Sequence, residues 1–117
     1  MFNFAYCEEK NRIYINIEDD LSSSEIDAYI KGLTDLIERT RPGFTVLADL
    51  SESRISFVEK SAEFQVIRDY SIKKGFKNVA TVLEAYAYKL HKGSPFPGVK
   101  NTFLCVREAE AFLDSLV

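Results

Sequence analysis

An aspartate that follows an apolar run is the residue of this sequence best placed for binding chemistry. Asp49 comes directly after Phe44-Thr45-Val46-Leu47-Ala48, which has the composition of a central strand covered on both faces. Open α/β sheets place their binding residues at the carboxyl ends of parallel strands. A second interpretation gives Asp49 a local role, in which its carboxylate accepts backbone N–H groups from a turn over residues 51–53.

Metal binding and covalent catalysis have little support in the residue pattern. Asp49 is followed by three glutamates whose spacing matches no calcium-binding loop, namely Glu52, Glu59 and Glu63. His91 is the only histidine, so a His-rich zinc site is excluded and a Ser-His-Asp triad would depend on this one residue. No serine is flanked by the glycines of a nucleophile elbow, and the glycines form no phosphate-binding loop. We therefore expect no catalytic residue, no cofactor and no metal.

Serines concentrate where the second helix is expected to begin. Ser56-Phe57-Val58-Glu59 has the pattern of a capping box, in which the serine accepts a backbone N–H and stabilises the helix by about 1 kcal/mol. Ser61 lies one turn further along, where an ordinary solvated residue is a sufficient explanation. A phosphate on either serine would add about −1.5 to −2 charges at the helix start, which is enough to disrupt a flat protein interface. Ser56 and Ser61 are therefore candidate phosphoacceptors.

The first part of the chain predicts a hairpin and a long helix. Apolar and polar residues alternate over residues 2–6 and again over 13–17, which is typical of two antiparallel strands. Ser22-Ser23-Ser24-Glu25 is a capping box, and the helix that it opens should end near Thr40 because Pro42 follows. Gly32 interrupts this helix and indicates a close approach by another segment. The apolar stripe of the helix comprises Ile26, Tyr29, Ile30, Leu33 and Ile37.

The remaining elements alternate between strands and helices. The second helix should end at Gly75, and its buried stripe is expected to be Val58, Ala62, Val66 and Tyr70, widened by Phe64 and Ile67. A strand over 79–83, a short helix over 85–92, a strand over 102–106 and a terminal helix complete the chain. The predicted fold is a single α/β domain over residues 1–117 in the order β-β-α-β-α-β-α-β-α. Its mixed sheet is parallel except for the N-terminal hairpin.

Composition and charge exclude several classes of protein. Hydrophobic residues make up 46% of the chain and charged residues 28%, which is typical of a globular domain rather than a disordered one. The net charge of −3 disfavours a generic nucleic-acid binder, and no segment reaches the roughly 20 apolar residues that span a bilayer. Cys7 and Cys105 lie far apart in apolar runs, so we expect free thiols and a cytoplasmic protein without stable membrane insertion.

Positive charge is concentrated late in the chain. Residues 71–100 contain six lysines and one glutamate, together with Phe76, Tyr86, Tyr88 and Phe96. Such a stretch could contact anionic ligands, lipid headgroups or RNA, or it could steer a protein partner. The structural alternative is that Lys73 and Lys74 complement a helix dipole while the aromatic rings belong to the core.

The whole chain resembles the STAS domain, a family that includes the bacterial anti-sigma-factor antagonists. The likeness rests on the hairpin, the long amphipathic helix, the strand that ends in Asp49-Leu50-Ser51, and a following helix entered through serines. The stretches over residues 43–51 and 103–113 look like the antagonist-like branch that is related to lipid-transfer domains. The resemblance implies a (βα) superhelix, no catalysis, and regulatory binding to a protein kinase or a sigma-controlling partner.

The family's phosphorylation motif is matched only in part. Its antagonists carry Asp-Ser-Ser-Gly at the start of the second helix, where a serine accepts phosphate from the partner kinase. Matching by letter places Glu59-Lys60-Ser61-Ala62 on this motif, whereas matching by helix start places Ser56 there. The glycine is missing in both cases, and Lys60 replaces one serine.

Two functional hypotheses follow. The first is a regulatory module that binds another protein through the loop after Asp49 and the start of the second helix, with candidate contacts at Asp49, Ser53, Glu59 and Lys60. The second is a carrier or sensor of a small apolar or lipidic ligand. It is motivated by the nine phenylalanines and the Pro95-Phe96-Pro97 loop, with Phe96 as the candidate ligand contact.

Overall fold

A computed structural model describes residues 2–19, 22–53, 61–83 and 101–116 of the chain. It has a mixed α/β fold with eight described elements. In chain order they are β1 (Phe2–Cys7), β2 (Arg12–Asp19), α1 (Ser23–Ile37), β3 (Thr45–Ser53), α2 (Ser61–Lys73), β4 (Asn78–Val82), β5 (Thr102–Phe103) and α3 (Val106–Asp114). The helix expected over residues 85–92 lies outside the described residues. None of the described helices is long and apolar enough to cross a membrane.

The five strands form one sheet in the order β1-β2-β3-β4-β5. The pair β1–β2 is antiparallel, while each of the other neighbouring pairs is parallel. The expected N-terminal hairpin and the mixed sheet are therefore confirmed. Asn11 completes the hairpin turn with a positive φ of 52°, a conformation that asparagine tolerates better than most residues, and its N–H donates to the Glu8 carbonyl.

The capping box of α1 is confirmed by two reciprocal hydrogen bonds. Ser22 Oγ accepts the Glu25 N–H, and Glu25 Oε1 accepts the Ser22 N–H, each over 3.2 Å. These bonds satisfy donors that a helix leaves unpaired in its first turn. The helix ends at Ile37 rather than near Thr40, whose hydroxyl donates to the Ile37 carbonyl over 2.6 Å.

Alternation along the strands divides the core between the two faces of the sheet. On one face, Ile13, Ile15 and Ile17 of β2 pack with apolar residues of α1 and α2. On the other face, Leu47 of β3 packs with residues of β4 and α3, including Ala109 and Leu113. The molecule is therefore layered, with α1 and α2 on one side of the sheet and α3 on the other.

The expected buried stripe of α2 is partly wrong. Ile67 is buried, but Val66 is 62% exposed. The end of the helix agrees with the prediction: the Gly75 N–H donates to the Ile72 carbonyl, and the Phe76 N–H donates to the Ser71 carbonyl. Gly75 has a φ of +95°, which is the conformation that this type of helix end requires.

Two strand boundaries also differ from the prediction. β3 does not close at Asp49 but continues to Ser53, so residues 51–53 are strand rather than turn. β5 covers only Thr102–Phe103 instead of residues 102–106. Cys105 therefore lies outside the last strand and precedes α3 as an exposed residue, contrary to the apolar surroundings expected for it.

The described part of the basic stretch serves the fold. Phe76 packs edge-on against buried Phe44, with ring centroids 5.9 Å apart. Lys74 lies over the Tyr70 ring, and Lys77 donates to the Leu116 carbonyl over 2.6 Å. The packing of Phe76 agrees with the alternative that the aromatic rings of this stretch belong to the core, while residues 84–100 lie outside the described part of the chain.

Candidate functional site

A polar site lies on the sheet face that carries α3. Asn16 of β2 and Asp49 of β3 are paired in register, and both side chains are half-buried. Asn16 Nδ2 donates to Asp49 Oδ2 over a long 3.4 Å. The site therefore lies within the sheet. The sequence had instead indicated a position for Asp49 at the carboxyl end of a strand.

Ser51 holds the second oxygen of the Asp49 carboxylate. Asp49 Oδ1 accepts the Ser51 hydroxyl over 2.6 Å and the Ser51 N–H over 3.1 Å. The local role expected for Asp49 is thus correct for one backbone N–H, although the donor belongs to a strand and not to a turn. Hydrogen bonds to both oxygens fix the orientation of the carboxylate.

An irregularity in β3 places Ser51 beside Asp49. The register pairs Asn16 with Asp49 and then Glu18 with Glu52, so β3 contains one more residue than β2 over this interval. Such a bulge bends a strand and redirects its side chains, and bulges are frequent beside functional sites. Here it brings Ser51 within hydrogen-bonding distance of the carboxylate two residues earlier.

A shallow cavity of about 180 Å³ adjoins these side chains. Its walls combine apolar and polar residues of β1, β2, β3 and α3: Asn3, Ala5, Tyr14, Ile15, Asn16, Leu47, Asp49 and Val106. Binding pockets for small molecules usually have roughly 300–1,000 Å³. The cavity is large enough for one protruding side chain, but it is too small for a lipid.

Exposed carboxylates continue the site towards the carboxyl ends of β2 and β3. Glu18 and Glu52 are paired in register, and Asp19 is paired with Ser53. Both glutamates and Asp19 are exposed. The carboxyl ends of β2 and β3 therefore form an acidic edge. Within the described residues no three potential metal ligands come together.

Only some of the site residues expected from the sequence can be placed. Ser53 is the last residue of β3, and Ser61 is the first residue of α2. The candidate phosphoacceptor Ser56 and the candidate contacts Glu59, Lys60 and Phe96 lie outside the described residues, as does His91. Among the expected contacts, Asp49 is therefore the residue whose side-chain hydrogen bonds define the site.

A second charged cluster, not expected from the sequence, joins the hairpin to α3. The side chain of Arg12 is 1% exposed, and its Nη1 lies 3.0 Å from Glu110 Oε1 and 2.9 Å from Asp114 Oδ1. Its Nε donates to Thr45 Oγ1 over 2.9 Å. A buried guanidinium is tolerated only when it is paired, and these contacts provide the pairing. Polar side chains occupy alternate positions of β2 at Arg12, Tyr14 and Asn16, and this period-2 pattern indicates a polar face of the strand but not its partners on α3.

Donors converge on one oxygen of Glu110. Besides Arg12, the Tyr14 hydroxyl donates to Glu110 Oε1 over 2.6 Å and Lys10 Nζ donates over 2.8 Å. Partial burial opposes ionisation of Glu110, but the hydrogen bonds and the two cations outweigh it and lower the pKa of this carboxyl. The hydrogen bond from Arg12 is the main reason that the pKa of Asp114 is also lowered.

Both polar clusters are held together by contacts within the fold. The Ser51 hydroxyl donates directly to the Asp49 carboxylate. The charged cluster is joined internally by ion pairs and fastens α3 to the hairpin. No protein-family model matches the chain, and no curated protein matches it either.

Proposed function

We propose that this chain is a non-catalytic regulatory module that binds another protein. The proposed contact surface runs from Asp49 along the carboxyl end of β3 to Ser61 at the start of α2. The observation that carries the proposal is the fixed Asp49 carboxylate, which is held by Ser51 and Asn16 at a bulge. A preoriented polar group loses little conformational entropy on binding, which favours specific recognition.

Charge supports a basic partner surface. Glu18 and Glu52 are exposed and lie side by side in the register, and Asp19 continues the acidic edge. Opposite charges at the rim of an interface accelerate association and select against wrong partners. The partner class that we propose, from the resemblance to STAS domains, is a protein kinase or a sigma-controlling protein. The (βα) superhelix of that family is part of the same proposal.

Phosphorylation would provide a switch at this surface. Ser61 begins α2, and Ser56 precedes it in the chain. A phosphate on either serine would add a bulky and strongly hydrated group, which a closely fitting partner surface cannot accommodate without losing contacts. We therefore expect phosphorylation to weaken binding by disturbing the fit.

The test starts from affinity capture of partners from the source cell, followed by binding measurements on the purified pair. Ser61→Asp should weaken binding several-fold, because a closely fitting partner surface would strip water from the new carboxylate, and Glu52→Lys should weaken it several-fold, because lysine reverses the charge of the acidic edge. Ala111→Asp and Glu108→Lys are the matched controls, since both positions are exposed on α3. If the variants and their controls bind equally well and all are folded, the proposed surface is wrong.

The carrier hypothesis predicts a different result for the same purified protein and its variants. Native mass spectrometry of freshly purified protein would show a retained small molecule if the chain carries an apolar ligand. Phe96→Ala would then reduce its retention, while Ser61→Asp would have no effect. The cavity beside Asp49 does not supply the volume for a lipid, so such a ligand would need a different site.

A further inference from the structure

The strand β1 is an edge strand of the sheet that the described residues form. Among the described residues it pairs with β2 only, through the register from Phe2↔Ile17 to Cys7↔Arg12. In an antiparallel pair, successive residues direct their N–H and C=O groups alternately towards the partner strand and away from it. About half of the backbone groups of β1 therefore point outward, and another strand is the group that satisfies them best.

The sequence of β1 lacks the residues that usually protect an edge strand against pairing. Phe2–Cys7 reads FNFAYC and contains no charge, no proline and no glycine. Natural edge strands are commonly very short, charged, bulged or interrupted by proline. The opposite edge strand, β5, has just two residues and so follows that rule. β1 has six residues, three of which are aromatic residues with strong strand preference, and this combination indicates that pairing at this edge is functional.

The two faces of β1 have different characters. Phe2 and Phe4 lie on the α1 side, where both rings contact Tyr29 with centroid distances of 5.6 and 5.4 Å. Asn3 and Ala5 are exposed on the opposite face, next to the cavity beside Asp49. A strand that extends the sheet must keep aromatic residues on the first face and small residues on the second.

We infer that β1 pairs with β1 of a second copy of this chain, antiparallel and centred on Phe4. In this register Phe2 lies opposite Tyr6 of the second copy, and Asn3 lies opposite its Ala5. Directly opposed residues share a face, so the aromatic rings remain on the α1 side and the small residues remain on the other. The two five-stranded sheets then form one continuous sheet.

Charge and symmetry identify the occupant as a second copy. The paired segment carries no charge, so two identical strands meet without repulsion, and Glu8 and Glu9 lie beyond it at opposite ends of the dimer. Because both copies use the same edge about a two-fold axis, the interaction closes at a dimer and does not propagate. Asn3 and Ala5 also place the second copy beside the Asp49 cavity.

A charge-swap experiment tests this register. Asn3→Lys/Ala5→Lys places lysines directly opposite each other, and Asn3→Glu/Ala5→Glu does the same with glutamates, so each variant should dimerise at least tenfold more weakly than the wild type. An equal mixture of the two variants should recover a heterodimer. Sedimentation velocity measures all three states. The control is Ile72→Lys/Ala111→Lys, which adds the same charge at exposed positions of α2 and α3 and should dimerise as the wild type does.

Several results would overturn the inference. They are a monomeric wild type at all accessible concentrations, a lysine variant that dimerises as tightly as the wild type, or a mixture that stays monomeric although both variants are folded. Hydrogen exchange of the wild type provides a test that needs no substitution. The outward amides of β1 should become more protected as protein concentration rises, and protection that does not change with concentration would equally contradict the dimer.

Discussion

The guanidinium of Arg12, the first residue of β2, donates to the carboxylate of Asp114, the last residue of α3, over 2.9 Å. Glu110, one turn earlier in the helix, lies 3.0 Å from the same Arg12 nitrogen. These contacts attach the C-terminal helix to the N-terminal hairpin, although the residues lie about a hundred positions apart in the chain. The attachment depends on ionised carboxylates and should therefore depend on pH.

The first prediction concerns the acid stability of this attachment. Because the pKa of Glu110 is lower in the folded protein than its ordinary value of 4.5, its contribution to stability is complete above that value and is lost as the pH falls through the lowered one. Asp114 behaves in the same way below its ordinary value of 3.8. The free energy of unfolding in urea, measured at several pH values from about 6 down to about 3, should show this loss of stability.

Glu110→Gln should make the decline of stability with acid shallower, because the substituted side chain does not titrate. Glu108→Gln is the matched control, since Glu108 is exposed on the same helix. Equal pH profiles for the wild type and Glu110→Gln would contradict an ionic attachment of α3 by this residue.

The second prediction isolates the hydrogen bond between Arg12 and Thr45. Both residues are buried, and Arg12 Nε donates to Thr45 Oγ1 over 2.9 Å. Thr45→Val keeps the shape but removes the acceptor, which leaves a buried N–H unsatisfied at a cost of about 1–3 kcal/mol. The free energy of unfolding from urea titration measures this loss. An unchanged free energy would mean that another acceptor replaces Thr45.

Local sequence signals predicted the beginning of the fold well. Ser22 and Glu25 form the expected capping box because the bonds involve residues three apart and need no tertiary context. The hairpin was also predictable, since two adjacent segments with strict alternation are typical of paired antiparallel strands. Gly32 was expected to mark a close approach, and the Phe4 ring is the group that approaches it.

Tertiary pairing accounts for the features that the sequence could not predict. Leu50-Ser51-Glu52-Ser53 has low intrinsic strand preference, yet it extends β3 because Glu18 and Asp19 of β2 provide a pairing partner. The bulge that orients Ser51 has no local signature either. Arg12 is buried because Glu110 and Asp114 approach it from the far end of the chain, a contact that no short-range pattern indicates.

The third prediction compares two glycines with positive φ. Gly43 has a φ of +88°, and a Cβ atom added there would meet no atom within 4 Å, so Gly43→Ala should cost about 1 kcal/mol for the backbone conformation alone. Gly75 has a φ of +95°, and its added Cβ would lie 3.0 Å from Pro42 Cα. Gly75→Ala should therefore cost about 2–3 kcal/mol, because backbone strain and overpacking combine. Urea unfolding of both variants tests the order, and equal costs would contradict the contact with Pro42.

The fourth prediction concerns the two cysteines. Both thiols are free in the structure, and Cys105 is exposed whereas Cys7 is half-buried. A thiol reagent should therefore label two groups in the denatured, unreduced protein, and in the native protein it should label Cys105 faster than Cys7. Cys105→Ser is the control and should remove the fast phase only. A count of zero free thiols in the unreduced protein would contradict the prediction.

The fifth prediction couples Gly32 of α1 to Phe4 of β1. A Cβ atom at Gly32 would lie 3.0 Å from Phe4 Cε2, so alanine there is crowded by the ring although alanine otherwise stabilises a helix interior by about 1 kcal/mol relative to glycine. Phe4→Leu removes the crowding atom. Gly32→Ala should therefore stabilise the Phe4→Leu protein more than it stabilises the wild type, with a coupling energy of about 0.5–1 kcal/mol in a double-mutant cycle of urea unfolding. Ala28→Gly, at an exposed position of the same helix, is the control and should show no coupling to Phe4→Leu. A coupling energy near zero for Gly32 would mean that the ring moves aside freely, and the close approach would then have no role in selecting glycine.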